Sequence, residues 1–96
     1  MQREDVLKAL RDSRPILDAF GVARLSLVGS FARDEGCDDS DVDLLVEFHR
    51  PIGLFEFVRL QRTLAEILGH PVDLVTPGAL KPQLGERILE EAVFVA

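Results

Sequence analysis

Residues 41–48, with the sequence DVDLLVEF, form the stretch that decides how this chain folds. Apolar and polar side chains alternate along it, which is typical of a β-strand with one face in a hydrophobic core. The residues expected to point into the core are Val42, Leu44, Val46 and Phe48. The opposite face then carries Asp41, Asp43, Leu45 and Glu47. The sequence therefore predicts a strand that is anchored on one side and presents carboxylates on the other.

Two further strands and one long helix accompany this stretch. Strands are predicted at residues 23–28 and 71–76. The apolar spacing from Leu54 to Leu68 predicts an amphipathic helix that ends at Gly69. The residues of this helix expected at helical spacing on one face are Leu54, Phe57, Val58, Gln61, Leu64 and Leu68.

Both ends of the chain are predicted to be helical. Residues 3–20 carry a helical apolar stripe, but Pro15 is unfavourable in a helix interior. We therefore expect a break near Ser13, with Ser13 capping a short second helix. A short helix is expected at residues 31–35 and a last helix at residues 82–91.

The order of these elements defines the expected architecture. Helix, strand, short helix, strand, helix, strand and helix follow one another, which indicates the α/β (α+β) class. We expect a single domain over residues 1–96, built as a small mixed sheet of three or more strands flanked by helices. A chain of 96 residues is long enough for one such core.

Composition and charge exclude several classes of function. The net charge is −6 and the eleven basic residues are not clustered, so no direct nucleic-acid partner is expected. No apolar run approaches the ~18–20 residues of a membrane helix, and the N-terminus lacks a secretory pattern, so no membrane association is expected. The single Cys37 excludes an internal disulfide and fits a cytoplasmic location. His49 and His70 have no partner at metal-ligand spacing and are expected at the surface.

Carboxylates are concentrated in one short segment, because six of the seventeen Asp and Glu residues lie within residues 34–43. A solvated turn is the plainest interpretation of such a run. However, Asp41 and Asp43 leave the same face of the predicted strand about 6.6 Å apart, and Asp73 joins them if its strand pairs alongside. Carboxylates held together repel each other unless a cation lies between them. Mg²⁺ suits such a site, because it takes one or two carboxylates and completes its shell with water and substrate phosphates.

The pair Gly29-Ser30 lies where a predicted strand ends and a short helix begins. Backbone N–H groups and a hydroxyl at such a position are able to meet an anion, and glycine allows a phosphate to approach the backbone closely. Arg33, one turn further on, is placed to neutralise a triphosphate. Alone, Gly-Ser after a strand is most often only a turn.

Several segments of the chain together resemble a known family. Gly29-Ser30, ten intervening residues and Asp41-Val42-Asp43 match the G-S-x(10)-D-x-D signature of the polymerase-β-like nucleotidyltransferase superfamily. In particular, the chain resembles the minimal nucleotidyltransferase (MNT) subfamily. The segments that resemble it are residues 29–35, 40–46, 71–75 and 80–92. The resemblance therefore extends from about residue 22 to residue 95.

The resemblance implies a role for each matching residue. Asp41 and Asp43 are expected to be ligands of one or two Mg²⁺ ions. Asp73 is expected to be the third carboxylate, which binds metal and accepts a proton from the attacking hydroxyl. Gly29 and Ser30 are expected to hold the β- and γ-phosphates of ATP, the nucleotide donor.

The resemblance also implies a partner. Minimal nucleotidyltransferases are often the antitoxins of small helical HEPN-domain toxins, to which they transfer AMP from ATP, typically onto a tyrosine hydroxyl. The chain departs from the subfamily at Asp34, where glycine is usual; this adds negative charge near the triphosphate. The expected function is accordingly a Mg²⁺-dependent protein adenylyltransferase that acts as an antitoxin.

The size of the chain bears on the acceptor. The predicted catalytic fold uses all 96 residues, so no second domain is expected to bind an acceptor. The acceptor must then come to an open site, which favours another protein. Two alternatives stay open: a binding module that neutralises its partner by contact alone, and a small-molecule nucleotidyltransferase. Homo-oligomers and hetero-oligomers are both compatible with the sequence.

Overall fold

A mixed β-sheet organises the part of the chain that the computed structural model describes, residues 2–29, 31–32, 41–77 and 92–95. The helices and strands, in chain order, are α1 (Arg3–Asp12), α2 (Arg14–Ala19), β1 (Val22–Val28), β2 (Val42–Phe48), α3 (Leu54–Leu68), β3 (Val72–Val75) and β4 (Val93–Phe94). The strand order is β3-β2-β1-β4. Strand β1 runs antiparallel to β2 and β4, whereas β2 and β3 are parallel. The predicted α/β (α+β) class, a small mixed sheet flanked by helices, is confirmed.

Strand β2 has the predicted alternation. Val42, Leu44 and Val46 are completely buried in the core, and Phe48 packs against it. On the opposite face Leu45 is also buried, whereas Asp43 stays half-buried. The inward face therefore anchors the strand, while the carboxylate of Asp43 remains within reach of solvent.

Helix α3 connects β2 to β3, because two parallel neighbours need a crossover of this kind. Its bounds are the predicted ones. Gly69 ends it in the left-handed conformation, with φ 69°, and donates its N–H to the carbonyl of Ala65 at 2.8 Å. This confirms Gly69 as the residue that terminates the helix.

The predicted apolar face of α3 is wrong at its N-terminal end. Leu60, Leu64 and Leu68 are buried, whereas Leu54 is 76% and Val58 45% exposed. At 3.6 residues per turn, the line through Leu54 and Val58 lies about 100° around the helix from the line through the three buried leucines. The three buried leucines face the sheet, so Leu54 and Val58 face solvent.

The break between α1 and α2 occurs at Ser13, as predicted, but the expected cap is wrong. Ser13 occupies the N-cap position of α2, yet its hydroxyl donates to the carbonyl of Ala9 at 2.8 Å, one turn back in α1. Pro15 lies in the first turn of α2, where its missing N–H costs nothing because no helical acceptor is available there. Pro15 therefore fixes the start of α2, and the Ser13 hydroxyl donates a hydrogen bond to the last turn of α1.

The C-terminal part of the sheet was not predicted. Strand β4 pairs with the middle of β1, where Phe94 is the partner of Ser26 and Val93 that of Leu27. The predicted helix at residues 82–91 and most of the one at residues 31–35 lie outside the described residues. No helix within the described ranges is long and apolar enough to cross a membrane.

Candidate active site

Two of the three predicted acidic residues are direct neighbours across the sheet. In the parallel pairing of β2 and β3, Asp43 is the register partner of Asp73. Both side chains therefore project from the same face, on strands about 4.8 Å apart. Asp73 is exposed and Asp43 is half-buried. Two carboxylates in this arrangement create a local negative potential that favours a cation.

Asp41 lies at the entry to β2 rather than within it. The N–H of the next residue, Val42, donates to the carbonyl of Pro71 at 2.9 Å, which joins the start of β2 to the residue before β3. All three predicted acidic residues thus belong to one end of the β2–β3 pair. Within the described ranges, however, no three His, Cys, Asp or Glu side chains converge closely enough to hold a metal ion. The structure brings Asp43 and Asp73 together and leaves Asp41, which is exposed, at the edge.

Gly29 packs directly against Asp43. Because β1 and β2 are antiparallel, with Val28 opposite Asp43, the turn after β1 arrives beside the start of β2. Gly29 has a φ of 77°, in the left-handed region that favours glycine. A Cβ built on Gly29 would lie 3.2 Å from the Cβ and Cγ atoms of Asp43, and closer still to its carboxylate oxygen Oδ2. This position therefore excludes a side chain for two independent reasons, the backbone conformation and the carboxylate beside it.

The chain immediately after this turn is anchored at Phe31 and Ala32. The Phe31 side chain is 1% exposed, and its ring meets that of His70 in an edge contact with centroids 5.9 Å apart. The carbonyl of Ala32 accepts a hydrogen bond from the Arg3 guanidinium at 3.3 Å. His70, which was expected at the surface, is half-buried against Phe31 instead. The first contact holds Phe31 close to the start of β3, and the second joins Ala32 to α1.

Ser30 and Arg33, the two other residues predicted to contact the nucleotide, lie outside the described residues, as does Asp34. Their roles stay predictions. Of the predicted nucleotide-binding set, the structure describes Gly29, which lies against Asp43. Sequence reasoning identified both residues but not their contact, because the thirteen residues that separate them along the chain carry no signal of it.

The carboxylate pair fits a magnesium ion. Asp43 and Asp73 supply hard oxygen ligands from adjacent strands of one sheet face. Two carboxylates are sufficient protein ligands for Mg²⁺, since water and substrate phosphates complete its octahedron. Gly29, in the turn after β1, packs against Asp43 and so places that turn beside the carboxylate pair. A site with these parts is of the kind that performs phosphoryl or nucleotidyl transfer.

Comparison with known families agrees with that class. A model of the family described as the nucleotidyltransferase domain matches residues 4–95 of the chain. This chain therefore belongs to the nucleotidyltransferase domain family. The predicted family, and the predicted class of enzyme, are confirmed.

Sequence relatives carry the same class name. A Methanocaldococcus jannaschii protein named as a protein adenylyltransferase is 48% identical over 81 residues, which cover 84% of this chain and 87% of the relative. Protein adenylyltransferase MntA of Thermococcus cleftensis is 37% identical over 92 residues, which cover 96% of this chain and 91% of the relative.

Solved structures share the fold. A structure described as that of a minimal nucleotidyltransferase superimposes with a TM-score of 0.82 at 38% identity, covering 97% of this chain and 95% of the other. A chain of the complex described as tri-AMPylated Shewanella oneidensis HEPN toxin with MNT antitoxin gives a TM-score of 0.61 at 21% identity, over 98% of this chain and 68% of the other. The latter similarity concerns the fold alone.

Proposed function

We propose that this protein is a Mg²⁺-dependent protein adenylyltransferase, which transfers AMP from ATP to a tyrosine hydroxyl of a small helical HEPN-type toxin and so acts as its antitoxin. The observation that carries the proposal is the register of Asp43 with Asp73, beside a glycine turn that packs on Asp43. The names of the sequence relatives support the reaction class, and the fold shared with an MNT antitoxin supports the partner.

Each residue has a distinct role in this proposal. Asp43 and Asp73 would hold Mg²⁺, with Asp41 as a further ligand at the entry to β2. When bound, Mg²⁺ neutralises phosphate charge and polarises the reacting phosphorus. The backbone at Gly29 and the hydroxyl of Ser30 would hold the β- and γ-phosphates.

The reaction itself is a substitution at the α-phosphorus of ATP. The oxygen of the acceptor hydroxyl forms a bond to that phosphorus, the bond to the β-phosphate oxygen breaks, and pyrophosphate leaves. The proton of the hydroxyl passes to the carboxylate of Asp73, which is exposed and therefore accessible to an incoming acceptor. Arg33 would balance the charge of the triphosphate before it leaves.

The exposure of Asp73 and the charge of the chain favour a protein acceptor. The Asp73 side chain is exposed, so an approaching protein can reach this carboxylate. The net charge of −6 disfavours a nucleic-acid acceptor, because phosphate backbones bind through clustered cations. A partner protein can bring its own hydroxyl to the site.

The proposal is tested by transfer of label from ATP. Purified protein, Mg²⁺ and host lysate are incubated with ATP labelled at the α- or at the γ-phosphate, and labelled protein bands are compared. Asp43→Asn is the test variant. Asp12→Asn is the matched control, since it removes one carboxylate from an exposed position at the end of α1.

The expected result is a protein band labelled from α-labelled ATP only, lost in Asp43→Asn and kept in Asp12→Asn. A band labelled from γ-labelled ATP would indicate phosphoryl transfer and contradict the proposal. An unlabelled partner that nevertheless co-purifies and is neutralised by both variants would favour the alternative of a binding module that acts by contact alone.

A further inference from the structure

Helix α3 exposes a cluster of apolar side chains on the side that faces away from the sheet. Three of the four large apolar residues that are exposed within the described ranges lie there, namely Leu54, Phe55 and Val58. At 3.6 residues per turn they share an arc of about 140° with Arg59 and Arg62, which are also exposed. We call these five residues the α3 docking face. Adjoining exposed apolar residues mark interaction sites, whereas single ones do not.

The α3 docking face continues into an open hollow of about 630 Å³, where β2 leads into α3. Leu54 lines this hollow and also a second concavity, of about 350 Å³, which the other four residues of the docking face border. The lining of the hollow includes Ile52, Phe48 and Phe57, and the two aromatic rings lie 6.4 Å apart. A hollow of this composition can receive one large apolar side chain, which is the usual anchor of a protein interface.

The charges of the α3 docking face are positive, although the chain has a net charge of −6. Within the described ranges, neither the Arg59 nor the Arg62 guanidinium forms an ion pair. The nearby carboxylates are those of Glu56, which lies 3.7 Å from Arg50, and of Glu66, one turn beyond Arg62. Because interfaces pair surfaces of opposite potential, the docking face suits a partner with negative charge beside its apolar surface.

Two other occupants fit these charges poorly. A second copy of this chain would place the same face against itself across a two-fold axis. Because Arg59 lies in the middle of the docking face, it would then approach its own symmetry mate, and like charges at such a distance oppose contact. An anionic lipid surface normally attracts a cluster of about 4–8 cations, whereas this face has two, in a chain that is negative as a whole.

The shape of the α3 docking face suits a helix. Leu54, Val58 and Arg62 are four residues apart and form one ridge along α3, and such ridges pack into the grooves of a second helix. The ridge extends over eight residues, or about 12 Å, which is about two helical turns. Helices that dock in this way present apolar residues at helical spacing, with charged residues at the margins.

We propose that the α3 docking face binds an acidic amphipathic helix of a partner protein. The apolar side of that helix covers the three apolar residues of the face, one large side chain fills the hollow beside Leu54, and its carboxylates pair with Arg59 and Arg62. Helix α3 packs on the core face of the sheet, whereas Asp43 projects from the opposite face. A helix bound here therefore leaves the carboxylates of the candidate active site open, and the docking face is independent of the proposed function.

Charge reversal at matched positions tests the docking face. Arg59→Glu combined with Arg62→Glu reverses its two charges. Lys8→Glu combined with Arg11→Glu is the control, since these two cations are also exposed and three residues apart on a helix, but α1 has no exposed large apolar side chain. Both double variants change the net charge by the same amount. Phe55→Ala tests the apolar contact separately, and thermal unfolding verifies that every variant is folded.

The probe is a synthetic helical peptide with leucines at helical spacing on one side and glutamates along both margins, and its analogue has lysine in place of every glutamate. Isotope-labelled full-length protein is titrated with each peptide, and backbone amide signals are followed by NMR. The acidic peptide should move the signals of Leu54, Val58 and Arg62, and the lysine peptide should not. The charge reversal on α3 should weaken binding roughly tenfold, Phe55→Ala should weaken it as well, and the control on α1 should bind as wild type.

Several results would overturn the docking face as a site for an acidic helix. Equal affinity for the two peptides, signals that do not move on α3, or equal weakening by both charge reversals would each do so. Dimers of the wild type in sedimentation that are lost in Phe55→Ala would assign the face to a second copy instead. Flotation with phosphatidylserine vesicles that is lost in the α3 charge reversal would assign it to a lipid surface. None of these measurements uses ATP, so failure of the proposed function would leave them unchanged.

Discussion

Replacing Gly29 by alanine should damage the active site more than the fold, and Gly69 offers a matched control. Both glycines adopt a positive φ, 77° at Gly29 and 69° at Gly69. They differ in their surroundings. A Cβ on Gly29 would contact Asp43, whereas a Cβ on Gly69 meets nothing within 4 Å. The two alanine variants therefore share a backbone strain, and one of them adds a contact with the carboxylate.

The expected losses of stability and activity follow from the backbone strain and from the contact with Asp43. The left-handed conformation costs an L-residue about 1–2 kcal/mol, so Gly69→Ala should lower the free energy of unfolding by that amount. Gly29→Ala carries the same strain. It also forces the Asp43 side chain from its position, at a further cost of about 0.5–1.5 kcal/mol for an off-rotamer side chain. Displacement of a reacting group by about 1 Å can lower a rate about 100-fold, so transfer should fall by that order in Gly29→Ala.

The assay combines urea unfolding with label transfer. Free energies of unfolding are obtained from the denaturation curves, and the rate of α-label transfer is measured at saturating ATP for wild type and both variants. Gly69→Ala should be less stable than wild type but transfer at the wild-type rate. If Gly29→Ala and Gly69→Ala lost the same stability and both kept activity, the contact between residue 29 and Asp43 would have no functional role, and the reasoning would be refuted.

Two further predictions concern the core and the metal. Leu64→Ala should lower the free energy of unfolding by about 2–5 kcal/mol, because Leu64 is completely buried. Phe55→Ala, at an exposed position of the same helix, should change it by less than about 0.5 kcal/mol. Equal losses of stability in urea unfolding would contradict the burial pattern of α3. Mg²⁺ should raise the Tm of wild type and of Asp12→Asn, by about 4–8 °C for each kcal/mol that binding adds to the free energy of unfolding, and should not raise that of Asp73→Asn. An equal rise in all three proteins would place the ion elsewhere.

The elements that positioned the site were predictable because their signals are local. The alternation of residues 41–48 depends on the strand period alone. The start of α3 is indicated by the turn residues Pro51 and Gly53, and its end by Gly69. The strands and the helix between residues 41 and 77 therefore have the predicted order, and the strand ends differ from the predicted ones by one residue. Whether the strand of Asp73 pairs beside that of Asp43 stayed open in the sequence, because their register depends on tertiary pairing.

The features that were missed depend on contacts between distant segments. Strand β4 has two residues, too few for a periodic pattern, and exists because it pairs with Ser26 and Leu27. Leu54 and Val58 have helical spacing with the true core positions, so the sequence could not tell which of two apolar lines the sheet would cover. The hydroxyl of Ser13 could either accept a hydrogen bond from a backbone N–H of α2, as a cap, or donate one to α1, and in the structure it donates to the carbonyl of Ala9.

The candidate site shows the same division. The residue types and their spacing predicted Gly29, Asp41, Asp43 and Asp73 as site residues, and the structure brings Gly29, Asp43 and Asp73 together. Their roles in phosphate and metal binding stay predictions. The contact between Gly29 and Asp43 had no such signature in residue types or spacing, because it follows only from the antiparallel register of β1 and β2.

The intact mass of the partner tests the central claim most directly. A HEPN-type partner co-expressed with this protein is purified, incubated with ATP and Mg²⁺ together with either wild type or Asp43→Asn, and measured by mass spectrometry. We predict that wild type adds whole AMP units to the partner, on tyrosine, and that Asp43→Asn adds none. A partner that keeps its mass with wild type, or gains phosphate instead of AMP, would contradict the assignment of Asp43, Asp73 and Gly29 to an adenylyl-transfer site.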